Sequence, residues 1–194
     1  MRRGARGYVA GVTHSDRDFE LVERKTVYDG HIISVEHNRY RFADGEEAER
    51  DIVRHPGAVG IVCVDDEQVW LVRQPRQAVG DPDVLEIPAG KLDEEGESPL
   101  QTGKRELAEE IGKGAERWES LGSFWTSVGV LDEEVHLYLA TGLYDDHAET
   151  HENERIEVVT WPLARLDELL DSVKDSKTRI GLLELARRRA RLPG

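Results

Sequence analysis

Ser98-Pro99-Leu100-Gln101-Thr102-Gly103-Lys104-Arg105-Glu106-Leu107-Ala108-Glu109-Glu110-Ile111-Gly112 reads as one helix with a signal at each end. Ser98 stands as N-cap, Pro99 takes the first helical position, Gln101 completes a capping box, and Gly112 suits the left-handed stop. At 100° per residue, Leu100, Leu107 and Ile111 fall on one side and define the core face. Glu106 and Glu110, four apart, stack beside that stripe with Glu109 further round, so three carboxylates line adjacent exposed turns. Such a face is most often simply solvated. Here the acids repel one another and stand at the helix C-terminus, where the dipole disfavours anions by several tenths of a kcal/mol each. Gly103 leaves a bare patch beside them, at about 1 kcal/mol relative to Ala, as if something approaches the backbone closely. Oxygen ligands at i, i+4 suit a hard divalent cation, and Mg²⁺ takes one or two carboxylates plus waters and substrate phosphates.

Outward from this helix the chain alternates short strands and turns. Residues 57–64 are almost continuously apolar, as expected of a strand covered on both faces, and pair through a polar turn with residues 68–74. A short strand at 84–87 ends at Pro88-Ala89-Gly90, and an acidic loop leads to Ser98. Further strands are expected at 118–125, 135–141 and 156–161, and helices at 163–170 and 176–192. Upstream, segments 21–27, 32–42 and 48–54 form a three-stranded meander joined by Asp-Gly turns. The class is mixed α/β, a sheet held between helices. Residues 1–18 read as a flexible lead-in, 19–55 as an N-terminal antiparallel sheet, and 56–194 as the main domain.

The 194 residues are enough for one such domain with an appendage. With 26 Lys+Arg against 40 Asp+Glu the net charge is −14, which opposes binding to a nucleic-acid backbone and makes any anionic substrate depend on metal ions. The lone Cys63 lies in an apolar run, so a reducing, cytoplasmic setting is expected and a disulfide framework is excluded. No segment is long and apolar enough for a membrane span, and the basic N-terminus lacks the apolar core of a secretory signal.

The spacing Glu97, seven residues, then Arg105-Glu106-Leu107-Ala108-Glu109-Glu110-Ile111-Gly112 resembles the second half of the signature of the Nudix hydrolases. The first half departs from the pattern: six residues rather than five separate Gly90 from Glu97, and Lys113 replaces the final apolar position. Glu86-Ile87-Pro88-Ala89-Gly90, Gln74-Pro75-Arg76 and the N-terminal meander resemble the ADP-ribose pyrophosphatase branch. The resemblance implies an α/β/α Nudix sandwich with a mixed central sheet, preceded by a small three-stranded sheet through which such members form homodimers. It implies a Mg²⁺-dependent pyrophosphohydrolase, with Mn²⁺ as an alternate ion and two or three ions per site, acting on a small nucleoside diphosphate substrate.

Residue by residue, the resemblance assigns the metals to Glu106, Glu110 and the main-chain carbonyl of Ala89, with Glu109 supporting or sharing them. Gly90, Glu97, Arg105 and Gly112 are structural in the box, Glu97 and Arg105 as an ion pair. The general base falls on the loop His151-Glu152-Asn153-Glu154, with Glu154 first and Glu152 second. Arg76 and Arg50 match arginines that contact substrate phosphates or ribose, for which a guanidinium fork is suited; an ordinary salt bridge is the competing role for Arg76. Glu86 matches an acceptor for an adenine amino group and Tyr28 an aromatic that stacks on the base. On the loop after the box, Glu133 keeps an acid, while Val128 stands where the branch carries the proline linked to ADP-ribose preference. Other nucleoside diphosphate sugars, dinucleotides and CoA share the same diphosphate. A nucleotide-sensing module that binds without cleaving is the alternative from another class, though such modules typically lose box glutamates.

Overall fold

The computed structural model describes residues 18–146 and 155–191. The lead-in through residue 17 and the loop carrying Glu152 and Glu154 lie outside them. The chain forms two compact units, one ending at Arg54 and the other starting at His55.

The first unit is an antiparallel meander of β1 (Phe19–Asp29), β2 (Ser34–Phe42) and β3 (Glu47–Arg54), with β2 in the middle. The second turn is tight, with Gly45 at φ 91°. The first is longer than an Asp-Gly turn requires: β2 begins at Ser34, and the Gly30 N–H donates to the Ile33 carbonyl to close it. Alternating charge across β2 is matched by its neighbours, for instance Arg39 with Glu23 (2.7 Å) and Arg41 with Glu47 (2.8 Å).

The second unit is built around β4 (Ala58–Val64), a strand buried almost throughout. β4 runs parallel to β9 (Glu134–Asp145) and antiparallel to β5 (Gln68–Arg76). The sheet order is β10-β5-β4-β9-β8, with β8 at Lys113–Trp125 and β10 at Glu157–Pro162. Two short strands complete it, β6 (Asp81–Glu86) on β5 and β7 (Ala89–Lys91) on β4. Because successive side chains of a strand point to opposite faces, β4 feeds two cores. Ile61 and Cys63 pack with Leu107 and Ile111 of helix α1 (Pro99–Ile111). Val62 and Val64 pack with Leu169 and Leu182 from α2 (Leu166–Ser172) and α3 (Ser176–Arg189) on the other face. Each such fully buried aliphatic side chain is worth about 1.5–3 kcal/mol, so the three-layer α/β/α arrangement follows from the pattern of β4.

The helix α1 has the bounds its end signals demand. Ser98 and Gln101 exchange the capping-box bonds, and Gly112 takes the left-handed conformation at φ 66°. Several expectations shift. The segment 163–170 opens as a 3-10 turn, Leu163–Arg165, before α2, and α3 ends at Arg189 rather than 192. Ala89–Lys91, expected as the end of the 84–87 strand and the start of the acidic loop, is a strand of its own because Val59 and Gly60 pair with it. The acidic loop before α1 closes on a turn in which the Glu97 N–H reaches the Glu94 carbonyl around Gly96 at φ 88°.

Candidate active site

Helix α1 and strand β7 bring the box together. Gly90 lies against the Glu106 side chain so closely that a Cβ there would stand 2.1 Å from the carboxyl carbon. The neighbouring Ala89 N–H donates to Glu110 Oε2 at 2.9 Å. The Pro88 carbonyl accepts from the Ile61 N–H at 2.8 Å, tying the same segment to β4. Ala89 and Gly90 are therefore in contact with Glu110 and Glu106, although the two pairs lie sixteen or more positions apart in sequence.

Arg105 holds the acidic side of this cluster. Its guanidinium donates to Glu97 (3.3 Å), Glu106 (3.0 Å) and Glu109 (2.9 Å). Burial would lower the Arg105 pKa, but the Glu97 hydrogen bond and the charges of Glu106 and Glu109 outweigh it and keep the group more firmly protonated. The Glu97 carboxyl lies below its ordinary pKa, first through Arg105 and then through the Thr102 hydroxyl, which donates at 3.0 Å. The three box acids are half-buried rather than exposed, Glu106 and Glu109 being only 16% and 15% accessible. Partial burial explains why they need Arg105: one cation is shared among several carboxylates that would otherwise repel across the helix. The expectation for Gly103 is corrected as well. What approaches its bare Cα is the fold itself, with Val59, Ile61 and Trp118 within 3.3–3.7 Å of a Cβ built there.

A second polar group stands behind the first. Glu86, 2% exposed, accepts a two-pronged pair from Arg76 (2.5 and 2.7 Å) and a further bond from Lys177. Burial pushes the Glu86 carboxyl up, yet the Arg76 hydrogen bond and the Lys177 charge prevail and leave it below the usual carboxylate range. Arg76 is 42% exposed and lies in the field of Glu110 and Asp175 as well as that of Glu86. Lys177, Asp175 and Thr178 were not singled out by sequence reasoning; only the helix-opening pattern of Asp175 three before Thr178 signals one of them.

The remaining expected residues belong to other elements. Glu133 holds the base of the loop after β8, accepting from the Thr126 hydroxyl at 2.8 Å and lying 3.5 Å from His55 Nδ1. Val128 on that loop is 81% exposed. Tyr28 and Arg50 belong to the N-terminal unit; the Tyr28 ring folds over Gly30, and Arg50 donates to the Glu49 carbonyl at 2.7 Å.

Glu106, Glu109 and Glu110 offer only hard oxygen donors, and the Ala89 amide is joined to them through Glu110. Among the described residues no group of three or more His, Cys, Asp or Glu side chains is arranged to hold a metal ion by itself. Such a set fits Mg²⁺, which keeps several waters and needs few protein ligands.

The NUDIX domain profile matches residues 54–182, about two-thirds of the chain. The chain belongs to the NUDIX family. Among relatives, it is 38% identical to the methanol dehydrogenase activator of Bacillus methanolicus over 176 residues, covering 84% of this chain and 92% of that protein. It is 36% identical to the ADP-ribose pyrophosphatase of Bacillus subtilis over 164 residues, with 82% and 88% covered. It is 38% identical to the ADP-ribose pyrophosphatase of Mycobacterium tuberculosis over 153 residues, with 77% and 73% covered. The fold superposes on the crystal structure of an ADP compounds hydrolase with a TM-score of 0.79 at 23% identity, over 89% of this chain and 94% of that one. In this NUDIX chain the box helix, the Ala89-Gly90 strand and the central strand β4 all fall inside the matched residues.

Proposed function

We propose that this protein is a divalent-metal-dependent pyrophosphohydrolase that cleaves ADP-ribose, with water, to AMP and ribose 5-phosphate. The observation that carries it is the gathering of an intact set of box glutamates against Ala89 and Gly90, in a chain whose relatives include two ADP-ribose pyrophosphatases. Glu106, Glu110 and the Ala89 carbonyl would hold the ions, with Glu109 supporting them, two or three Mg²⁺ or alternatively Mn²⁺. Bound there, a divalent ion supplies charge neutralisation for the diphosphate and a lowered pKa for its water.

The rest is the work of the chain. Arg105 keeps Glu106 and Glu109 in place without displacing their charge. Arg76 presents a half-exposed guanidinium that a substrate phosphate can share with Glu86. Glu154, with Glu152 as second choice, is the proposed base that takes the proton from the attacking water. Glu86, Tyr28, Arg50 and Glu133 are proposed substrate contacts on the strength of the family resemblance. In Glu86 both oxygens already accept from cations, so an adenine amino group would have to share them.

Val128, in place of the branch proline and widely exposed, favours a second reading within the same chemistry: another nucleoside diphosphate derivative as the better substrate. We further propose a cytoplasmic homodimer formed through the N-terminal sheet. Among the described residues its outer strand β1 has no strand partner on one edge and exposes Phe19, Leu21, Val27 and Tyr28, a feature that soluble proteins cover. Among the described residues no helix is long and apolar enough to cross a membrane.

Product analysis by anion exchange after incubation with ADP-ribose and Mg²⁺ tests the main reading, with an EDTA control and Glu110→Gln in parallel. Gln still offers an acceptor to the Ala89 N–H, so the fold is expected to survive while turnover drops by about 10²-fold or more. AMP and ribose 5-phosphate formed by wild type alone, and abolished by EDTA, is the expected result. Equal turnover by Glu110→Gln would sink the metal assignment.

A further inference from the structure

We propose that the first turn of α3 is a clamp on the active-site segment 86–90, with Thr178 and Lys177 as positioning residues that set where Ala89 and Glu110 meet. Resting on the hydrolase reading above, it assigns roles to residues outside the Nudix signature.

The segment is pinned at every residue. Glu86 is held by Arg76 from β5 and by Lys177 from α3. The Ile87 N–H donates to Thr178 Oγ1 at 2.9 Å, a bond between residues 91 apart and fully buried. The Pro88 carbonyl is held by Ile61, the Ala89 N–H by Glu110, and Gly90 by its close approach to Glu106. Four of these ties come from β4, β5 and α1, which are bound into the sheet or the box. The ties at Glu86 and Ile87 that come from α3 are the ones remote from the box.

The clamp is itself braced. Asp175 caps α3 by accepting from the Thr178 N–H (2.9 Å) and hydroxyl (2.6 Å), and it pairs with Lys177 at 3.0 Å. With its proton committed to Asp175, the Thr178 hydroxyl can only accept from Ile87, so its orientation is fixed. Thr178 is fully buried and Lys177 is 14% exposed, so water is a poor substitute for either. Behind the helix, Gly181 packs against Val62 so closely that a Cβ would meet it at 2.7 Å, which fixes the distance of α3 from β4. Loss of the Thr178 hydroxyl would free Ile87, and Pro88 has no N–H with which to make a replacement bond. The next anchored atom is the Ala89 amide on Glu110, and the displacement passes directly to the carbonyl and carboxylate proposed to hold metal.

The test uses Thr178→Val, which keeps shape and loses the hydroxyl, with Thr178→Ser as the conservative rescue. Lys177→Met with Lys177→Arg forms a second pair should the Val variant fold poorly. Three readouts are taken: amide hydrogen exchange at Ile87 and Ala89 without metal, Mn²⁺ affinity by calorimetry, and the split of kcat from KM on ADP-ribose. In Thr178→Val, exchange at Ile87 and Ala89 is expected to rise at least about tenfold while the β4 amides stay as they are. Mn²⁺ affinity and kcat should fall by about 10- to 100-fold, the usual size of an effect exerted through a ligand's supporting partner, with KM nearly constant and the Ser variant close to wild type. Exchange that rises equally in β4, or Mn²⁺ affinity and kcat that stay at wild-type values, overturns the clamp. If wild type fails to cleave ADP-ribose while exchange and Mn²⁺ affinity respond as stated, the substrate reading falls and the clamp stands.

Discussion

Gly90→Ala would place a methyl group 2.1 Å from the Glu106 carboxyl carbon, where ordinary contact begins at 3.4 Å. The Glu106 side chain must therefore retreat by about 1.3 Å, because Gly90 lies in a strand paired with Val59 and has no room to move away. Its backbone φ is not among the positive ones, so Ala itself is tolerated, and the clash falls on the end of a flexible side chain. The cost to stability should stay within about 1 kcal/mol. The cost to catalysis should be much larger, since a displacement of about 1 Å in a reacting constellation lowers rate by about 10²-fold, or about 2.7 kcal/mol of barrier. Gly103→Ala is the matched control, one turn before Glu106 where α1 packs on Val59, Ile61 and Trp118 rather than on β7. Its Cβ would meet Val59 at 3.3 Å, which needs a shift of a few tenths of an ångström, and helix propensity returns up to about 1 kcal/mol. Steady-state hydrolysis of ADP-ribose and urea denaturation of both variants decide the matter. Gly90→Ala is expected to fold and be nearly inactive, Gly103→Ala to fold and be active. A Gly90→Ala enzyme within a few fold of wild type, or an inactive but stable Gly103→Ala, would refute the placement of the site on the β7 side of the helix.

Two further outcomes follow from buried groups. Glu86→Gln leaves Arg76 and Lys177 without their shared counter-charge, and because Arg76 can swing toward solvent the loss should be about 2–3 kcal/mol at pH 7. The folded Glu86 pKa lies below its unfolded value of about 4.3, so its contribution is complete above that pH and is lost as pH falls through the folded value. Urea titrations from pH 7 to 3 should show the gap between wild type and variant constant down to about pH 4.5 and closing below it; a gap that widens on acidification would contradict the network. Cys63 is fully buried between β4 and α1, and burial pushes its thiol well above the ordinary range. A thiol-reactive dye should label it only at the rate of unfolding, and rapid labelling of the native protein would show that the α1 face opens.

Legibility from sequence followed the range over which each feature is decided. The helix α1 was readable to the residue because its cap, first-turn proline and terminal glycine act within one turn. The strand β4 was readable because burial on both faces leaves an apolar run with no alternation. Strand β7 was not, since three residues with a glycine carry no pattern of their own and become a strand only by pairing with Val59 and Gly60. The same limit explains the two glycines. On a helical wheel Gly103 sits beside the acids and invites a ligand, yet its neighbours are Val59, Ile61 and Trp118. Gly90, which admits the Glu106 side chain, gives no local sign of doing so. The Glu86 network joins residues 10 and 91 apart, a separation over which no periodicity speaks.

The acids of α1 show how a locally unfavourable sequence is retained. Glu106, Glu109 and Glu110 within one and a half turns raise the energy of the helix through mutual repulsion and through the dipole at its C-terminal end. Arg105 relieves part of this, but it is shared among Glu97, Glu106 and Glu109, so carboxylates outnumber the guanidinium that bridges them. A protein selected only for stability would place Lys or Arg in that last turn, and α1 has no basic residue there. α3 does, carrying Arg187, Arg188 and Arg189 at the corresponding end. The two helices pack on opposite faces of one sheet under the same physical rules, and only the one lying against Ala89 and Gly90 violates them. The excess charge is thus confined to the place where the backbone has been cleared of a side chain and an amide has been aimed at a carboxylate, which is the arrangement a bound cation would neutralise.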